Sequence, residues 1–273
     1  MSCLVMGIVN VTPDSFSDGG RFLAADAAIA HGLMLRSHGA AILDVGGEST
    51  RPGAERVDPA VEQERVLPVV RALVEAGVPV SIDTMNSSTA LAAVGAGARI
   101  VNDVSGGLSD PDMLSAIAGT DADIVLQHWR GYSSDMYARA DYGDIVTEVV
   151  TELSTRVEAA AAAGIAPSRV IVDPGIGFGK KGRQNWAVLH GLPRISGMGP
   201  RVLVGTSRKR FLAETLEPDE EEASVGRRDL ATAVTSVLAA RSGAWGVRVH
   251  DVAATVDALK VADAWESGAR WTS

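Results

Sequence analysis

Eight short apolar runs of this chain each end on side chains that ionise or form strong hydrogen bonds. In order these are Asn10, Asp44, Asp83, Asn102 with Asp103, Gln127 with His128, Asp173, Ser207 to Arg210, and Arg248 with His250. Carboxylates and amides suit a ring rich in N–H groups, whereas Lys, Arg and His suit an oxyanionic group. The sequence has none of the H-x-H or H-E-x-x-H spacings of a metal site, and neither a nucleophile elbow nor a Ser-His-Asp order. The chemistry that fits is binding of a polar ring together with stabilisation of a departing phosphate.

The stretch Val170 to Lys180 shows the pattern most clearly. Three β-branched residues read as a buried strand, and Pro174 with Gly175, Gly177 and Gly179 reads as the turn that leaves it. Asp173 therefore ends a buried strand and opens a loop whose backbone can closely approach a ligand. Asp83 and Asn102 end neighbouring runs in the same manner. A carboxylate pointing inward there is costly unless hydrogen-bond donors reach it.

Two loops are larger than connectors need. Val11 to Arg21 is long and polar where most such loops take about two to six residues, and its lone Phe16 reads as an aromatic flap over a ligand. Gly46 to Ala54 carries Thr50 and Arg51, a hydroxyl and a bidentate fork suited to phosphate oxygens. Glu55 and Arg56 read as solvated, and Asp58 with Pro59 starts the next helix. Of Arg208, Lys209 and Arg210, alternation turns at least one into the pocket. Arg248 and His250 fall on one side of their strand and read as a phosphate pair, while His128 fits a pocket floor and a packed core histidine equally well.

These residues need a scaffold that brings eight strand ends together. Alanine-rich helical segments end at Gly39, Gly77, Gly97, Gly119, Gly164, Gly197 and Gly243, each read as a left-handed cap, and an apolar run follows each. Eight strands alternating with helices in a chain of this length predict an α/β fold of the (β/α)8 barrel type, a TIM barrel. A doubly wound sheet would place a G-x-G-x-x-G turn after its first strand, which this chain lacks. Active sites of such barrels lie at the carboxyl ends of the strands, so the polar ends are expected to share one pocket.

The chain has 273 residues, 46% of them hydrophobic, enough for one barrel domain spanning 1–273. With 25 Lys and Arg against 34 Asp and Glu the net charge is −9, which argues against nucleic-acid or membrane-surface partners. A single cysteine, Cys3, excludes an internal disulfide and leads to the expectation of a cytoplasmic chain without a targeting segment. The apolar stretch Leu230 to Val247 is broken by Arg241, Ser242 and Gly243, so it reads as a buried helix and a turn rather than a membrane span.

The motifs Gly7-Ile-Val-Asn-Val-Thr-Pro-Asp-Ser-Phe-Ser-Asp-Gly-Gly20, Asp44-Val-Gly-Gly-Glu-Ser-Thr-Arg-Pro-Gly53, Asn102-Asp-Val-Ser-Gly-Gly107, Asp173-Pro-Gly-Ile-Gly-Phe-Gly-Lys180, Ser207-Arg-Lys209 and Arg248-Val-His-Asp-Val252 closely resemble those of the dihydropteroate synthases. The runs Ser207 to Phe211 and Ala244 to His250 are most similar to actinobacterial members. The resemblance implies a (β/α)8 barrel transferase of folate biosynthesis. It joins p-aminobenzoate to 7,8-dihydropterin pyrophosphate, releases pyrophosphate with Mg²⁺, works as a homodimer and is the target of sulfonamide inhibitors.

By the same resemblance Asp83, Asn102, Asp173 and Lys209 bind the pterin ring, with Arg248 against its face, and Ser207 belongs to the substrate site. Asn10 is implied as the magnesium ligand. Arg248, His250, Thr50 and Arg51 hold the phosphates or the closed second loop, and Phe16, Pro52 and Phe178 form the aminobenzoate slot. No general base is implied, since a weakly basic aniline nitrogen attacks a carbon whose leaving group is already stabilised.

Two positions depart from many members: Gln127 stands where a Met usually packs on the pterin, and Arg210 where a Ser commonly helps hold the aminobenzoate carboxylate. Three other readings account for part of the pattern. A methyltetrahydrofolate methyltransferase barrel would not need Phe16 or the Ser207-Arg208-Lys209 run. A non-catalytic pterin-binding paralogue would have lost residues such as Asn10, Arg51 or Lys209. A sugar-phosphate aldolase or isomerase would use a Lys or Glu base without paired ring-binding acids.

Overall fold

The computed structural model describes residues 3–12, 21–49, 53, 56–132, 137–217 and 223–268, without the side chains of 21–23. Eight parallel strands close into a barrel in sequence order, β1 pairing with β2 on one side and β8 on the other. The elements follow as β1 (Leu4–Asn10), α1 (Arg21–Ser37), β2 (Ile42–Gly46), α2 (Pro59–Glu75), β3 (Val80–Asp83), α3 (Ser87–Gly95), β4 (Ile100–Asp103), α4 (Met113–Ala118) and β5 (Asp123–Gln127). They continue as α5 (Ile145–Ala162), β6 (Val170–Asp173), α6 (Gly182–His190), α7 (Leu192–Ser196), β7 (Arg201–Val204), α8 (Arg210–Leu216), α9 (Val225–Arg241), β8 (Gly246–Val249) and α10 (Val252–Ser267). Every strand expected from the sequence is present, within two residues at either end.

The barrel interior is layered. Met6, Ile42, Ile100, Val125, Ile171 and Leu203 form an apolar plug inside the lower barrel. Two residues further along the same strands, and so on the same face, come Ile8, Asp44, Asn102, Gln127, Asp173 and Gly205. Asp83 joins this tier by its register with Asn102, and the side chain of Arg248 reaches into it from β8 to bond Asp44 and Asp83. A dry floor therefore carries a polar tier at the carboxyl ends. The larger hydrophobic core lies outside the strands, between them and the helices.

The local signals hold with two corrections. Asp58 caps α2, its Oδ1 accepting from Ala60 N–H at 2.8 Å, with Pro59 in the first turn. Left-handed caps occur at Gly39, Gly77, Gly97, Gly164 and Gly243. Gly119 and Gly197 instead keep φ of −76° and −74°, because each ends a helix of only six or five residues whose last turn simply runs on. The second correction concerns α9, which is not buried all round: Leu230, Val234 and Leu238 line an exposed face. No helix among the described residues is long and apolar enough to cross a membrane.

Candidate active site

The polar tier is organised by ion pairs across the barrel mouth. Arg248 reaches from β8, donating from Nε to Asp44 Oδ2 at 2.6 Å and from Nη2 to Asp83 Oδ2 at 2.7 Å. Asn102 Nδ2 donates to the same Asp44 oxygen at 3.0 Å. Burial pushes the Asp83 carboxyl above the usual range, and the Arg248 guanidinium opposes it. Burial likewise works against the charge of Arg248, but Asp44 and Asp83 overcome it and raise its pKa. The expected phosphate pair of Arg248 and His250 thus takes a different form: two nitrogens of the Arg248 fork are turned down into the acid tier.

On the opposite side Asp173 lies in register with Gln127, and its Oδ1 accepts the Gly175 N–H at 2.7 Å. Gly175 has φ +65°, and a Cβ there would sit 2.2 Å from the His128 carbonyl oxygen, so only glycine fits. The loop wraps around Lys180, whose buried ammonium donates to the carbonyls of Gly175 at 2.9 Å and Phe178 at 3.1 Å and approaches His128 Nδ1 at 2.9 Å. Three acceptors match the three donors of an ammonium. Burial pushes Lys180 down to about 7, with Asp173 countering. Asn185 of α6 clips the loop as well, accepting from Gly177 N–H at 2.6 Å and donating to Lys180 O at 3.2 Å.

His128 is a packed core histidine rather than a floor residue. It is buried, and Nε2 lies 3.0 Å from Glu152 Oε2 without hydrogen-bond alignment. Burial, then the Lys180 charge, holds it down to about 4, so it is neutral at pH 7. Gln127 is also buried and donates from Nε2 to Val104 O at 3.3 Å.

The loop after β7 separates its three cations. Lys209 turns inward: it donates to the Ile176 carbonyl, lies 4.8 Å from the centroid of the Phe178 ring, and faces Asp173 and Asp83. Burial pushes it down to about 8, with Asp173 opposing. Arg208 is held by Asp229 of α9, and Arg210 points to solvent beside Glu214 at 2.9 Å. Ser207 Oγ lies 2.9 Å from His250 Nδ1 and accepts the His250 backbone N–H at 3.0 Å. Ser207 thus fixes the orientation of His250 through both its ring and its backbone.

Asn10 is half-buried at the end of β1, in register with Gly46. The side chains of Phe16, Thr50, Arg51 and Pro52 lie outside the described residues. Arg56, expected to be merely solvated, ties down the second loop. It pairs with Glu48 at 3.1 Å, donates to Asn86 Oδ1 and Ser109 Oγ at 2.8 Å each, and lies over the Tyr132 ring. The sequence pattern places Asp44 only among the polar strand ends, with no role of its own, and gives Lys180 none. Asp44 carried a usable signal as an acid ending an apolar strand, whereas nothing in the local pattern distinguishes Lys180 from a surface lysine.

A closed (β/α)8 barrel whose mouth holds paired acids, an amide and an inward lysine above a dry floor is an enzyme scaffold for a small ring rich in hydrogen-bonding groups. Residues 6–250 match the family of pterin binding enzymes. Dihydropteroate synthase of Mycobacterium leprae is 52% identical over 263 residues, covering 96% of this chain and 93% of that protein. The solved structure of Xanthomonas albilineans dihydropteroate synthase in complex with 7,8-dihydropteroate superposes with a TM-score of 0.86 at 43% identity, over 97% of this chain and 94% of that one. A Yersinia pestis dihydropteroate synthase bound to a sulfonamide drug gives 0.89 at 38% identity, over 97% and 94%. The chain belongs to the pterin binding enzymes and, within them, to the dihydropteroate synthases, transferases of folate synthesis.

Proposed function

We propose that the mouth binds 7,8-dihydropterin pyrophosphate through Asp83, Asn102, Asp173 and Lys209 and joins its methylene carbon to the nitrogen of p-aminobenzoate. The observation that carries these roles is the convergence of two buried acids, an amide and an inward ammonium in one tier. The carboxylates accept from the ring N–H groups, and Lys209 donates to its acceptors. For the ring to reach Asp83 it must share or displace Arg248, whose planar guanidinium then stacks on the ring face. The aniline nitrogen attacks the methylene carbon as the carbon–oxygen bond to the diphosphate breaks. The electron pair leaves with pyrophosphate, and the nitrogen releases its proton to water.

The diphosphate end falls to His250, whose ring Ser207 orients, and to Thr50 and Arg51 of the second loop. Phe16, Pro52 and Phe178 form the aminobenzoate slot. Among the described residues no group of three His, Cys, Asp or Glu could hold a metal. Asn10 contributes a single neutral oxygen at the mouth, a donor set that fits a magnesium ion held chiefly by diphosphate oxygens and water. Such an ion neutralises charge on the leaving group. Sulfonamides, which resemble p-aminobenzoate in shape and charge, compete in its slot, as the Yersinia pestis complex suggests. All substrates are small and soluble, which fits a cytoplasmic enzyme.

The exposed side chains Leu230, Val234 and Leu238 of α9 and Val261 and Trp265 of α10 lie on helices joined by the Arg241 to Glu266 ion pair at 2.7 Å. A patch of that kind suits a second copy of the chain, giving a homodimer. Trp265→Glu with Val261→Glu is expected to yield monomer by analytical ultracentrifugation. A dimer that persists would move the interface elsewhere.

Pyrophosphate release with dihydropterin pyrophosphate and Mg²⁺ tests the reaction. The expected result is release that depends on p-aminobenzoate and stops with EDTA. Tight pterin binding without turnover would favour a binding paralogue instead.

A further inference from the structure

Arg208 is the one non-glycine residue among the described residues with a positive φ, +57°. Side chains disfavour this conformation because Cβ crowds the following carbonyl, so something must hold the turn. The holding element is α9. Arg208 Nε and Nη2 donate to Asp229 Oδ1 and Oδ2 at 2.7 and 2.9 Å, and Arg208 N–H donates to Thr232 Oγ1 at 3.1 Å. The hydroxyl of Thr206 lies 2.8 Å from that of Thr235. Asp229, Thr232 and Thr235 are spaced three residues apart and buried on one face of α9.

The turn at Arg208 sends its two neighbours to different places. Ser207 meets His250 on β8, and Lys209 reaches Ile176 and Phe178 on the loop after β6. We propose that Asp229 is a positioning residue: by clamping Arg208 in the left-handed conformation, α9 aims Lys209 at the ring-binding acids and Ser207 at His250. Arg208 itself does not touch substrate. This inference rests on the reading that Lys209 and His250 contact the substrate.

Glycine separates this role from a direct one, because it adopts φ near +57° without a clamp. Asp229→Ala and Arg208→Ala are each expected to lower kcat/KM about tenfold or more. Arg208→Gly is expected to stay within about threefold of the parent, and Asp229→Ala with Arg208→Gly to recover most of the loss of Asp229→Ala. Pterin affinity by calorimetry should follow the same order. Thermal unfolding of each variant accompanies the assay, and Asp229→Asn, which keeps the shape, replaces Asp229→Ala if the latter does not fold. A double variant no better than Asp229→Ala overturns the proposal, as does Asp229→Ala with full kcat/KM. Lys209→Ala tests the underlying reading separately: full turnover there would remove the site assignment, whatever the glycine variants show.

Discussion

Two lysines stand at the same barrel mouth and do opposite work. Lys180, after β6, is enclosed, and its three donors are matched by the carbonyls of Gly175 and Phe178 and by His128. Lys209, after β7, has one acceptor among the described residues, the Ile176 carbonyl, and faces the acids Asp173 and Asp83. Burial depresses both, to about 7 and about 8. Depression alone does not mark function; the number of donors left over does. A saturated ammonium is a post that folds a loop, and an unsaturated one is a ligand-binding group.

The largest effect is expected at the acids Lys209 faces. Asp83→Asn keeps the shape but removes a charged acceptor, so kcat/KM should fall ~10- to 100-fold, read in the pyrophosphate assay. An unchanged value would mean that the ring sits elsewhere. Next comes Lys180→Met, which takes the ammonium from the Phe178 carbonyl and the His128 ring nitrogen and leaves the Gly175 carbonyl with only the Phe178 N–H. A drop of roughly 5 °C or more in the midpoint of thermal unfolding is expected. If the midpoint holds while pterin binding is lost, Lys180 is a binding group and the comparison breaks.

The pH dependence sharpens the same contrast. His128 has a folded pKa of about 4, below its ordinary 6.5, so the unfolded chain binds a proton that the folded chain refuses. Its contribution is fully present above pH 6.5 and is lost as pH falls toward 4, by up to ~3 kcal/mol. Urea unfolding at several pH values should show this slope, and His128→Asn should flatten it. The smallest effect is expected at Gln127, where Met replaces a donor to Val104 O: the pterin KM should shift about threefold. An identical KM would mean that Gln127 is only packing.

Much of this was legible in the sequence. The barrel followed from eight apolar runs separated by alanine-rich segments, and the acid tier followed from Asp44, Asp83, Asn102 and Asp173 each ending such a run. Strand alternation is a local property, so sequence spacing carries it. The clamps are not local. Arg208 and Asp229 are 21 positions apart, and Lys180 and His128 are 52. Nothing in either neighbourhood names its partner. Arg56 looked like a loop charge because Asn86 and Ser109 come from later loops. The direction of Arg248 was hidden for the same reason, since its partners lie 204 and 165 positions earlier.

The most direct measurement is calorimetric titration of dihydropterin pyrophosphate into the parent protein and into Lys209→Met. The expected result is at least ~10-fold weaker binding by Lys209→Met in a protein that still folds, because the lysine makes a single hydrogen bond among the described residues, to the Ile176 carbonyl. Unchanged affinity, or a folded state lost along with the lysine, would contradict the assignment of Lys209 as the group that meets the ring.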